Sequence, residues 1–154
     1  MQKLFLCFLF VSFSSIAFSQ APYNRAIGVK LPGGFSVTYK KFIAETRNLE
    51  FQATGWNKGF RVSGLYEFNF YSFPKIPTLA WFVGPGVHAG FWKDQYKTSY
   101  GSKADIGIDG IIGLDYKIPD LPLNFSVDWQ PAVTLIGNAS FAPATGGIAA
   151  RFTF

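Results

Sequence analysis

His88 is the single histidine of the chain. Side chains that could make it a general base are present: Ser99 or Ser102 as nucleophile, and Asp94 or Asp105 to orient the ring. Such a triad is defined by geometry, not by order along the chain. The plainer role for His88 is a buried hydrogen bond to an Asp or Tyr. Asp105, Asp109 and Asp115 carry the side chains of acid–base or calcium chemistry. Residues four apart on a strand are ~13 Å apart, too far to share one metal without other ligands. These aspartates therefore read as members of ion pairs. Arg61 and Arg151 are natural bidentate partners for Glu50, Glu67, Asp109 or Asp128. No phosphate-binding glycine loop, HExxH, CxxC or GxSxG occurs, and neither cofactor nor metal is expected.

Nearly all of these charged residues stand at alternate positions, which points to strands, because side chains on a strand alternate between faces. Tyr23–Leu31, Phe35–Lys41, Leu49–Gly55, Gly59–Phe70, Leu79–Trp92, Ala104–Tyr116, Leu123–Pro131 and Gly146–Phe154 all divide into an apolar and a polar face. In Asp105–Tyr116, Ile106, Ile108, Ile112 and Leu114 oppose Asp105, Asp109 and Asp115. Leu65 is a misfit, apolar on the face of Arg61 and Glu67. Pro85 predicts a bulge inside its strand. The intervening stretches 32–34, 42–48, 57–58, 71–78, 93–103, 117–122 and 132–145 read as turns and loops.

The N-terminus reads as an export signal: Lys3, an apolar stretch from Leu4 to Phe13, and the small residues Ala17 and Ser19 before a cleavage site at Gln20. Residues 1–19 are thus a signal peptide and 20–154 a single domain. Cys7, the only cysteine, falls in the signal, so the domain can form no disulfide or thiolate site. The net charge of +5 is scattered apart from Lys40-Lys41, which argues against nucleic acid as a partner. Aromatics make up 19% of the chain, and there are sixteen glycines.

No later apolar run reaches the ~20 residues of a membrane helix. A soluble barrel would alternate in the same way with its apolar faces inward. Here the apolar faces are large, aromatic and nearly free of charge. The opposite faces mix Gly, Ser and Thr with Lys40, Glu50, Arg61, Glu67, His88, Asp105, Asp109, Asp115, Asp128 and Arg151, a combination suited to a narrow lumen. The reading is all-β: an eight-stranded antiparallel up-and-down transmembrane barrel with those ten residues as its lumen charge network. Both termini are expected on the periplasmic side, since eight is even. Tyr23, Trp56, Trp81, Trp92, Tyr96, Tyr100, Tyr116 and Trp129 are expected in aromatic girdles. Trp56, Trp92 and Tyr96 are alternatively a cleft for an apolar ligand.

The signal ending IAFSQ, the strands DIGIDGIIGLDY and LNFSVDWQ and the terminal ARFTF resemble the small eight-stranded outer-membrane barrels of Gram-negative bacteria, of the OmpX and OmpA transmembrane-domain type. The resemblance is architectural and covers residues 20–154. It implies a cell-envelope protein, monomeric and without catalysis, in contact with outer-membrane lipid, periplasmic chaperones and the assembly machinery. Ile148, Phe152 and Phe154 would form the assembly signal. Some such barrels move hydrophobic molecules, and others modify lipid A with a rim His and Ser, so a small-molecule transporter or binder and a lipid-modifying hydrolase or acyltransferase are the alternatives. The short first and second loops depart from the long adhesive loops of some members.

Overall fold

The computed structural model describes residues 21–93, 103–137, 140–142 and 145–154. The expected signal peptide lies outside them, as do Asp94, Tyr96, Ser99, Tyr100 and Ser102. The described residues form ten strands: β1 (Arg25–Leu31), β2 (Phe35–Ala44), β3 (Arg47–Trp56), β4 (Gly59–Phe70), β5 (Leu79–Trp92), β6 (Ala104–Lys117), β7 (Leu123–Trp129), β8 (Ala132–Ile136), β9 (Ser140–Ala142) and β10 (Gly146–Thr153).

These strands make eight staves, because β7 and β8 form one stave and β9 and β10 another. Neighbours pair antiparallel in the order β5-β4-β3-β2-β1-β10-β7-β6, and β5 pairs with β6 to close the ring. Closure also joins the first and last strands, with Ala26 opposite Thr153 and Leu31 opposite Ile148. A closed ring leaves few backbone groups without ladder partners.

The stretch 132–145, expected to be a loop, instead contains the β8–β9 hairpin. Its small residues hid an alternation in which Ala132 and Thr134 are buried while Val133 is half-buried and Leu135 exposed. Pro131 has no N–H for a ladder, yet its carbonyl accepts the Gly110 N–H, so the stave stays in register along β6. On the other side the neighbouring stave is divided in the same way, with β7 paired to β10 and β8 to β9. The expected turn at 42–48 is also shorter, since β2 and β3 extend to Ala44 and Arg47.

Burial is inverted relative to an ordinary water-soluble domain. Among the described residues, thirty large hydrophobic side chains are exposed, including Phe35, Phe51, Ile108 and Ile148, whereas twenty polar or charged residues are buried. One apolar cluster does lie inside, formed by Leu65, Phe82 and Ile111 on three adjacent staves. The Leu65 misfit is thereby resolved: it packs against Phe82 and Ile111 and fills the interior beside the charges.

Candidate functional site: a closed floor and an outer vestibule

Toward the end of the barrel where Arg25 meets Phe154, two buried cations tie the staves together. Lys40 on β2 places Nζ 2.9 Å from Glu67, 3.3 Å from Glu50 and 3.4 Å from Asp115, with the Phe82 ring 4.5 Å away. Arg151 on β10 pairs through NH2 with Glu50 at 2.8 Å. It also donates to Thr38 Oγ1 through Nε at 2.8 Å, and through NH1 to Ser126 at 2.7 Å and Asn124 at 3.3 Å. Gly28, directly opposite Arg151 on β1, lets the two backbones approach closely at this point. A Cβ there would collide with the backbone of Ala150 and Arg151.

The three carboxylates of this floor receive neutral donors as well. Tyr23 and Asn124 donate to Asp115 at 3.0 and 2.9 Å, Asn48 donates to Glu67 at 2.8 Å, and Gln52 donates to Glu50 at 3.0 Å. Such pairing offsets the several kcal/mol that each buried ion costs in desolvation. Tyr23 precedes β1, and its phenol is held well above its ordinary pKa, chiefly by burial and then by the Asp115 carboxylate. It is a floor residue. The girdle position expected for it is therefore corrected, for a physical reason: its hydroxyl has a buried acceptor.

A second chain of contacts climbs one wall. Lys30 pairs with Asp128 at 2.6 Å and donates to Gln130 at 3.1 Å. Gln130 donates to Asp109 at 3.2 Å, and Asp109 lies 2.6 Å from His88 Nδ1. His88 Nε2 lies 3.3 Å from the Thr134 hydroxyl. Gly107 makes room for the imidazole, because a Cβ at that position would overlap the ring and the Val133 carbonyl.

The Asp109–His88–Thr134 series has the order of a nucleophilic triad, with Thr in place of Ser. All three side chains are buried, and none lines the cavity above. Asp105, an expected orienting group, is used elsewhere: its Oδ2 accepts from Trp92 Nε1 at 2.6 Å. The other expected triad members fall outside the described residues.

Of the ten expected network residues, eight are buried, and Arg61 and Asp128 are half-buried. Lys40, Glu50, Glu67, Asp115 and Arg151 come together in the floor, and His88, Asp109 and Asp128 in the wall. Asp105 and Arg61 join neither. Arg151 takes Glu50, while Glu67, Asp109 and Asp128 go to other partners. Arg61 makes no ion pair with any described residue, and its guanidinium lies 5.9 Å from the Trp56 ring. Missing from the expectation were Lys30, Tyr23 and the neutral partners Thr38, Asn48, Asn124, Ser126 and Gln130. Lys30, Thr38, Asn124, Ser126 and Gln130 showed only a place on a polar face, whereas Asn48 fell in the expected turn 42–48 and Tyr23 among the girdle aromatics.

Above the floor the lumen opens into a cavity of about 370 Å³. Ser36, Gln52, Thr54 and Ser63 line its wall together with Arg61. Trp56 and Trp92 meet edge to face at its mouth, with centroids 5.6 Å apart. No family model, curated protein or solved structure matches the chain.

Proposed function

We propose that the protein is exported by residues 1–19 and spans the outer membrane as a monomeric barrel with a structural, non-catalytic role. Its floor faces the periplasm and its vestibule faces outward. The carrying observation is the inverted burial: apolar side chains cover the outside of the ring, while Lys40, Glu50, Glu67 and Arg151 are enclosed within it. Burying each exposed Val, Leu, Ile or Phe in lipid would gain ~1.5–3 kcal/mol, a term that water forfeits. Ile148, Phe152 and Phe154 stay exposed on the closing strand, where assembly machinery could read them.

The ion-paired floor supports a barrel that holds its lumen shut. Gel mobility of the detergent-extracted protein, unboiled against boiled, tests the membrane assignment. A heat-dependent shift is expected. A protein that is soluble without detergent and shows no shift would overturn the assignment. Planar-bilayer recordings should be silent, and steady conductance would refute the closed floor. A second reading, a small-molecule binder, is favoured by the cavity beneath Trp56 and Trp92.

A further inference from the structure

We infer that the outer vestibule binds a small carboxylate-bearing sugar, with Arg61 receiving the carboxylate. The inference deepens the small-molecule reading, but it does not depend on the membrane assignment, because the vestibule belongs to the barrel itself.

Cation pairing singles out Arg61. Lys30, Lys40 and Arg151 each have a carboxylate within 3.3 Å. Arg61 lines the cavity without an ion pair, and its Nε is buried without a hydrogen-bond partner among the described residues. A desolvated guanidinium N–H left unsatisfied is costly, and a planar carboxylate matches the guanidinium fork. The nearest candidate within the ladder is Asp105. Arg61 stands opposite Gly90 on β5, and Gly90 stands opposite Asp105 on β6. The Asp105 carboxylate leans over Gly90, but Trp92 Nε1 takes one of its oxygens, and it makes no ion pair with Arg61. Asp105 is not part of the cavity lining.

The rest of the wall selects the remainder of the ligand. Ser63 lies two residues beyond Arg61 on the same face of β4. Across the ladder, the hydrogen-bonded pair Ser36–Thr54 adds further hydroxyl groups, and Gln52, whose Nε2 donates to Glu50 at 3.0 Å, adds an amide. These groups exchange hydrogen bonds with a polyol and reward an alkyl chain poorly. Trp56 and Trp92 supply apolar faces on which one side of a sugar ring can rest. The cavity lies within the ~300–1,000 Å³ of ordinary small-molecule sites.

The test is titration of the detergent-solubilised full barrel, followed by tryptophan fluorescence, with glucuronate, glucose, acetate and laurate as probes. Glucuronate should give a saturable change that weakens with added salt. Glucose and acetate should bind at least tenfold more weakly. Arg61→Gln should cost glucuronate at least tenfold in affinity. Asp105→Asn keeps the acceptor for Trp92 and removes the competing charge, so it should strengthen binding severalfold. The heat-dependent gel shift of each preparation reports folding, and the wild-type comparison stands even if a variant fails to fold. Absence of saturable glucuronate binding to folded barrel would overturn the inference. So would equal binding of glucose or acetate, tighter binding of laurate, or an Arg61→Gln variant that binds like wild type.

Discussion

Arg151 on the last strand and Glu50 on the third meet at 2.8 Å inside the ring, both almost wholly buried. The contact ties β10 to β3 past the two staves between them, alongside the ladders at the wall. Removing either partner strands the other charge, at a cost of ~3–5 kcal/mol. Arg151→Leu should therefore lower the temperature at which the gel shift is lost. Arg151→Leu combined with Glu50→Leu should lower it less than the two single effects summed, and strict additivity would refute the coupling.

The outer face offers a discriminating substitution. Ile112, on the outer side of β6, is 45% exposed. In a bilayer, Ile112→Arg should destabilise the barrel by ~2–4 kcal/mol if the position lies near the midplane. On a surface facing water the same change should be close to neutral. Unfolding titrations in lipid vesicles separate the two outcomes.

Phe82 fills the interior between Leu65, Ile111 and Lys40. Phe82→Ala should cost ~3–5 kcal/mol in unfolding free energy by leaving a cavity, whereas Phe82→Leu should cost less. A loss below 1 kcal/mol for Phe82→Ala would show that the floor can collapse around the gap.

His88 is enclosed between Asp109 and Thr134. On the non-catalytic reading, His88→Ala should leave the lipid A of expressing cells unchanged while lowering barrel stability, because Asp109 loses its shortest contact. Altered lipid A composition with an intact gel shift would instead support a catalytic wall.

Tyr23 supplies a pH dependence. Its phenol is raised well above the ordinary value of 10.0, first by burial and then by Asp115. The folded state thus holds this proton more tightly than the unfolded chain does. The linked stability is full below pH about 10 and declines as pH rises above it. Tyr23→Phe should flatten that alkaline decline and, below it, cost the hydrogen bond to Asp115, ~1.5–3 kcal/mol for a bond to a charged group. An unaltered alkaline profile would place the linkage elsewhere.

The alternation of Ile106, Ile108, Ile112 and Leu114 against Asp105, Asp109 and Asp115 was enough to find the stave and its two faces, because the period of two is a local property; which face turns inward was read from the composition of all the faces together. The partners of Asp115 were not legible in the same way. They depend on how far each stave is staggered against the next, and no single stretch encodes that stagger. Arg151 shows the limit: four carboxylates were plausible from the pattern, and register selected Glu50. Asn124 and Ser126 escaped notice because an uncharged polar residue on a polar face looks the same whether it binds a guanidinium or merely fills space. The β8–β9 hairpin was hidden by the small residues of 132–145, which read as a loop, although the Pro131 carbonyl keeps the stave in place along β6.

The seam between β1 and β10 sets the order in which the molecule can be completed. The Arg151 bonds to Glu50 and Thr38 close loops of 101 and 113 residues. Contacts so distant along the chain repay their closure entropy only when they form. Neither the Arg151 half of the floor nor the closed ring can exist before the final strand arrives. Any sheet assembled without that seam keeps a free edge at β1, where unpaired N–H and C=O groups can template pairing with another chain.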